Sequence, residues 1–250
     1  MRYIKIPNLP QSDVGLMAVS ATYPNILNTL KKLGIKVIPV KPRPMLETPI
    51  QSHADILCHH LGGSHIIVAK GEKFLQSELK KFGFDVIESL TPISSPYPSD
   101  VGLNAARVGN HLIANFKSLD SQISDFCFKA DITPIKVKQG YAKCSVAVID
   151  KNSIITSDYG IGQAAEKAGM EVLIIKPGYI RLPGYSYGFI GGCCGMIGRH
   201  HLAFAGNPVY HPDFFKMKTF LECRQIKMIA LSEGQLIDIG GLIPLMEKKH

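Results

Sequence analysis

"AKCSVAVIDKNSIITSDYGIGQAAEKAGMEVLII", residues 142–175, decides the fold. Small and apolar residues run into a turn at Lys151–Asn152, and a second apolar run, "SIITS", follows it. A helix-like stretch then closes on "AEKAG", and the chain leaves Gly169 into "MEVLII". Glycine at a helix end before a β-branched run is the common C-terminal cap that leads into an extended segment. The order is strand, strand, helix, strand.

That order recurs along the chain. "LKKLGIKVIPV" (30–40) and "LKKFGFDVIES" (79–89) repeat the helix-to-strand junction. "KADITPIKV" (129–137) and "CRQIKMIAL" (223–231) repeat it with another residue in the glycine's place, which gives junctions at Gly34, Gly83, Asp131, Gly169 and Gln225. Paired apolar runs precede four of them: "ADILCHHLGGSHIIVAK" (54–70), "SDVGLNAARVGNHLIANF" (99–116), residues 142–158 and "GGCCGMIGRHHLAFAGN" (191–207). Their turns, at Gly62–Gly63, Gly109–Asn110, Lys151–Asn152 and Gly198–Arg199, are hairpin signals. The first unit shows "DVGLMAVS" (13–20), with "RYIKI" as its expected first strand. The last segment, "QLIDIGGLIPLMEKK" (235–249), is expected to return and pair with that N-terminal unit. Repeats of this kind bury the faces of small sheets against their neighbours, as propellers do. With no linker evident, the expectation is a single domain over 1–250, with units near 1–45, 46–92, 93–140, 141–182 and 183–250.

Composition sets the class. Hydrophobic residues make up 46% and charged residues 19%, a folded composition. No apolar run reaches the roughly 20 residues that span a bilayer, and the N-terminus has no signal-peptide pattern. A cytoplasmic protein is expected, with no membrane partner. Six cysteines are too few for a disulfide scaffold of this length, and none forms a CxxC pair, which takes the main support from the zinc-ribbon and thioredoxin readings. The net charge of +8 favours anionic partners, RNA among them, although no run of five basic residues exists. "SIITSDYGIGQAAEKAG" carries Gly160-x-Gly162-x-x-Ala165, a shortened dinucleotide-binding pattern. No acid follows the next strand, and the repeat accounts for these residues as a strand-to-helix turn.

The stretches "HADILCHHLG", "YPSDVGLNAARVGNHLIAN", "QGYAKCSVAVID", "GFIGGCCGMI" and "LAFAGN", set in this repeat, resemble the pentein superfamily. Those are five-bladed α/β propellers of ββαβ units, and they include arginine deiminase, dimethylarginine dimethylaminohydrolase and glycine amidinotransferase. The resemblance is to an uncharacterised branch of the fold. It implies a site at one end of the pseudo-fivefold axis and a small cationic guanidino-type ligand. A cysteine would attack the guanidinium carbon, a histidine would move protons and carboxylates would hold the cation. The catalytic relatives carry the cysteine near the C-terminus after paired glycines. Here "DIGGLIPL" (238–245) has no such cysteine, and the H-x-D at His53-Ala54-Asp55 falls in the second unit, so the relatives' residues do not transfer directly.

Candidate residues therefore come from the units themselves. Cys193 and Cys194 are expected on the first strand of the fifth unit, pointing to opposite faces, so one of them faces the axis as nucleophile or both fill the core. His53, Asp55 and His59 are expected on one strand face, with Cys58 and His60 on the other; His53 is the candidate proton carrier. Asp55 and Asp100 are candidate cation binders, joined by Asn104, Arg107 and Cys144 as binding residues. Lys143 is positioned in sequence to lower the pKa of Cys144. His65, His111 and His200–His201 open second strands and read as parts of the repeat. Neither a metal nor a cofactor is expected. The function expected is a cysteine-dependent hydrolase or transferase of a guanidino or amidine compound. The alternative is a non-catalytic binding protein that meets RNA or the ribosome through its basic surface.

Overall fold

The computed structural model describes residues 1–249. Each of the five junctions is left-handed: φ is +77° at Gly34, +81° at Gly83, +53° at Asp131, +82° at Gly169 and +57° at Gln225. After each, the next amide reaches back to close the helix, as in Ile35 to Leu30, Ile132 to Cys127 and Ile226 to Leu221. This is the Schellman closure. Asp131 and Gln225 adopt a conformation that glycine takes at no steric cost, which explains why the sequence pattern is loosest there.

The helices that end at these junctions are Pro24–Lys32, Lys73–Lys81, Ser121–Lys129, Tyr159–Lys167 and Phe214–Glu222. All five bury an i, i+4 pair: Ile26 with Leu30, Leu75 with Leu79, Ile123 with Cys127, Ile161 with Ala165, and Met217 with Leu221. Residues four apart share one helix face, so each helix lays a narrow apolar stripe on its sheet and leaves the rest to water. Asp158 caps the fourth helix by accepting from Ile161, and Gly162 brings that helix close to Ile174 of the following strand. The Gly160–Ala165 pattern is that packing.

Four sheets hold three strands each, the first pair antiparallel and the second parallel across the helix. They are Cys58–Gly62, His65–Val68 and Asp85–Glu88; Ala106–Val108, His111–Ala114 and Thr133–Lys136; Val146–Val148, Ser153–Thr156 and Glu171–Ile174; and Cys194–Gly198, His201–Phe204 and Lys227–Ala230. The remaining sheet joins the chain ends. Ile243–Glu247 lies antiparallel to Val14–Ser20, which runs parallel to Lys36–Val40. The return of the C-terminal segment is as expected, but "RYIKI" is not the first strand of that unit. Arg2–Tyr3 pairs instead on the outer side of Ile243–Glu247, which takes the first-strand place itself.

A second difference matters for the site. Residues 54–57 and 142–145 form single helical turns, and the strands begin only at Cys58 and Val146. Asp100 and Asn104 likewise precede the strand that opens at Ala106, and Cys193 precedes the one that opens at Cys194. Alternation along a strand therefore does not decide where these side chains point. Apolar clusters join the first unit to the second and third, the third to the fourth, the fourth to the fifth, and the fifth back to the first. No helix among the described residues is long and apolar enough to cross a membrane.

Candidate active site

The turns before the first strands hydrogen-bond to one another in a circuit that passes through all five units. Asp55 N–H donates to Gly240 O at 3.0 Å, and Asn104 Nδ2 donates to Asp55 O at 3.0 Å. Asn104 Oδ1 accepts from Lys143 N–H at 2.7 Å and from Cys144 N–H at 3.2 Å. Gly192 N–H donates to Cys144 O at 2.9 Å, and Gly241 N–H returns to Gly192 O at 2.8 Å. Buried backbone groups without a regular ladder need such partners, and Asn104 serves as a bridge because its amide both donates and accepts.

Glycine makes the circuit tight enough to close. A Cβ on Gly192 would stand 2.0 Å from Asp238 Oδ1, and one on Gly240, whose φ is +78°, would stand 2.2 Å from His53 Cα. Backbone thus lies directly against both side chains.

At the centre are His53, Asp55 and Cys144, all buried, each with a ligand-type atom within 4.8 Å of the others. The Cys144 thiol donates to Asp55 Oδ2 at 3.0 Å and Sγ accepts from Asn104 Nδ2 at 3.1 Å. Among the described residues neither ring nitrogen of His53 has a hydrogen-bond partner; Nδ1 stands 3.8 Å from Asp238 Oδ1. Asp238 accepts from Phe189 N–H at 2.9 Å and from Gly240 N–H at 3.0 Å. Burial pushes the Asp238 carboxyl up, with the charge of Asp55 adding to it and His53 opposing. Burial also holds the Cys144 thiol well above its ordinary value, and the negative charges of Asp55 and Asp238 reinforce this. The resting sulfur is a thiol.

Cys144, His53 and Asp238 open onto a cavity of about 260 Å³, whose other walls are Ile50, Ile56, Tyr141, Leu182, Phe189 and the 185–187 segment. Asp55 lies behind Cys144 and borders a second, far smaller cavity with His59, Arg107 and Lys143. Lys143 donates to Gly191 O at 3.3 Å, and its ammonium does not offset the upward shift of the adjacent thiol.

The other expected residues fall elsewhere. Cys193 and Cys194 are both sealed in the apolar cluster that joins the fourth and fifth units, with the Cys193 thiol donating a hydrogen bond to Ile190 O, and neither borders the cavity beside Cys144. Asp100 is buried behind Tyr141, whose hydroxyl donates to it. Arg107 donates from Nε to Gly109 O at 2.7 Å on the side of the small cavity. His59 is buried beside the small cavity with Arg107 and Lys143, and His60 is buried against Phe84. Two residues of the site went unselected from the sequence, Asp238 and Tyr141. The signal for Asp238 was present: it opens "DIGG", the paired-glycine segment already singled out.

A family model described as a family of unknown function, DUF6873, matches residues 18–243. No curated protein matches the sequence. Among solved structures the chain is similar to a dimethylarginine dimethylaminohydrolase mutant from Pseudomonas aeruginosa complexed with citrulline, at 9% identity and TM-score 0.56, over 92% of this chain and 96% of that one. It is similar to SxtG, an amidinotransferase of Microseira wollei in the saxitoxin biosynthetic pathway, at 11% identity and TM-score 0.57, over 98% of both chains. It is also similar to C. jejuni agmatine deiminase, at 11% identity and TM-score 0.55, over 91% of each. At such identities the likeness is one of fold. The chain belongs to the DUF6873 family, and its fold is that of the pentein superfamily.

Proposed function

We propose that the chain is a cysteine-dependent hydrolase or transferase of a guanidino or amidine compound, with Cys144 as nucleophile and His53 as proton carrier. One observation carries this reading: a thiol, an imidazole whose two nitrogens have no partner among the described residues and a carboxylate converge within 4.8 Å in a buried site, with Asp238 in the wall of the adjoining cavity.

The chemistry follows from the charges. Burial, reinforced by the charges of Asp55 and Asp238, holds the thiol protonated while the site is empty. A planar cation set against Asp238 offsets that negative potential, so the thiol loses its proton to His53 only when ligand is present. The thiolate attacks the amidine carbon and forms a C–S bond. The C–N bond breaks, and the amine leaves with the proton from His53. The amidino group is then held on sulfur. Water, or an acceptor amine in a transferase, attacks the same carbon and gives its proton to His53. The C–S bond breaks, and His53 returns that proton to Cys144. Asp55 orients the thiol from behind, and Asp238 binds the cation.

The test is covalent labelling with chloroacetamidine, whose halide the thiolate displaces, followed by peptide mass spectrometry. Modification at Cys144 is expected. Labelling no greater than that of a Cys144→Ala control overturns the assignment.

A second reading rests on the same donors, because sulfur, imidazole and carboxylate are the ligand types of a zinc site. Metal analysis of the purified protein separates the two: stoichiometric zinc with an unreactive Cys144 supports this reading, and metal-free protein that labels at Cys144 supports the first.

A further inference from the structure

The walls of the cavity beside Cys144 say what the rest of its ligand is made of. Of its lining residues, His53, Cys144 and Asp238 belong to the reacting end, and none of the others is a lysine, an arginine or a carboxylate. The remainder is apolar or aromatic apart from Ser186. Two of the tyrosines have committed their hydroxyls: Tyr141 donates to Asp100 and Tyr185 to Glu47. The Tyr141 ring is stacked with Phe189 at an interplanar angle of 30°, and Phe189 meets Tyr187 edge to face at 6.1 Å. Ring carbon, rather than phenol, forms this side of the cavity.

We infer that the ligand's substituent is uncharged and apolar, an aryl or alkyl group on the guanidine or amidine, and that it carries no carboxylate, phosphate or second cation. This rests on the reading of Cys144 given above and specifies its substrate class. A carboxylate or phosphate drawn into the cavity would lose hydration with no cationic partner in the wall. A terminal ammonium would meet no carboxylate in the lining beyond Asp238, which the reacting group already occupies, since Glu47 and Asp100 stand behind the tyrosine hydroxyls they accept from. An aryl group would lie against the Tyr141–Phe189 wall and be held by burial and ring–ring contact. The volume of about 260 Å³ lies below the roughly 300–1,000 Å³ of pockets that take drug-sized ligands, so the substituent is small, of the size of a benzyl group.

Protection of Cys144 from chloroacetamidine measures this without needing turnover. The rate of labelling is followed with benzylguanidine, arginine or agmatine present at graded concentrations. Benzylguanidine is expected to give half-protection at a concentration at least about tenfold below either of the others. Tyr187→Arg, which places a cation at a half-exposed position of the cavity wall, is expected to narrow that gap for arginine and leave agmatine unhelped. Equal or better protection by arginine or agmatine overturns the inference and leaves the nucleophile standing. If Cys144 does not label at all, the reading of the site fails and this inference fails with it.

Discussion

Cys144 and Asp55 stand 89 residues apart in sequence, and the thiol of one donates to Oδ2 of the other at 3.0 Å. They come from the helical turns that precede the first strands of the fourth and second units, bridged by Asn104 of the third. The thiol–carboxylate contact forms only where these three units meet.

The nucleophile assignment separates three buried cysteines. Cys144→Ala is expected to abolish chloroacetamidine labelling, whereas Cys193→Ala and Cys194→Ala retain it and lower the melting temperature through lost packing. Labelling that survives in Cys144→Ala but not in either of the others would reverse the assignment.

Charge selection at Asp238 gives a second expectation. Chloroacetamidine and the neutral chloroacetamide have nearly the same shape, so their rate ratio at Cys144 reports the electrostatics of the site. A ratio of at least about ten in favour of the cation is expected, since opposite charges a few ångströms apart in a partly buried site attract by up to about 4 kcal/mol. Asp238→Asn should bring the ratio towards one; an unchanged ratio would remove Asp238 as the cation binder.

Asn104 is expected to be structural first. Its side chain satisfies two backbone amides, one carbonyl and Sγ, all buried. Asn104→Ala strands those groups and should cost about 3 kcal/mol in denaturant unfolding, near the upper end for unmet buried donors and acceptors. A change below 1 kcal/mol, by the same measure, would mean that the circuit has another closure.

Gly192→Ala tests the close approach to Asp238. The added methyl would need the space of Oδ1, so the carboxylate must move. A loss of about 2 kcal/mol is expected, together with a lower cation-to-neutral labelling ratio. A destabilised variant with an unchanged ratio would show that Asp238 tolerates displacement.

Acid stability follows from two buried histidines. Burial drives His59 down to about 3, with the charge of His60 adding to it, and burial drives His60 down to about 4. Both are neutral in the folded protein, whereas in the unfolded chain they bind protons below about pH 6.5. From pH 6.5 down to about 4 the unfolded state holds more protons, so stability falls with falling pH, by about 1.4 kcal/mol per pH unit for each histidine. His59→Gln removes one of these groups and should flatten the dependence of the unfolding midpoint on pH between 6.5 and 4.5 by a corresponding amount. An unchanged slope would assign acid sensitivity to other groups.

Much of the fold was legible in the sequence because its causes are local. A helix of nine residues, a left-handed cap and a hairpin turn leave marks on contiguous residues, and the five junctions were found at Gly34, Gly83, Asp131, Gly169 and Gln225. "RYIKI" misled because a short apolar run next to a strand looks like its hairpin partner. Ile243–Glu247 takes that place through antiparallel pairing with Val14–Ser20, which no local signal records.

The site divides along the same line. His53, Asp55, Asn104 and Cys144 could be singled out in sequence as polar or reactive residues at the starts of units. Choosing among the cysteines required the helical turns at 142–145 and 54–57, since strand alternation would have aimed Cys193 or Cys194 inwards. The residue types, their repeat and their neighbourhoods are properties of the chain alone. Which thiol meets a carboxylate and a free imidazole depends on backbone bonds between turns of different units, and only the assembled tertiary structure decides that.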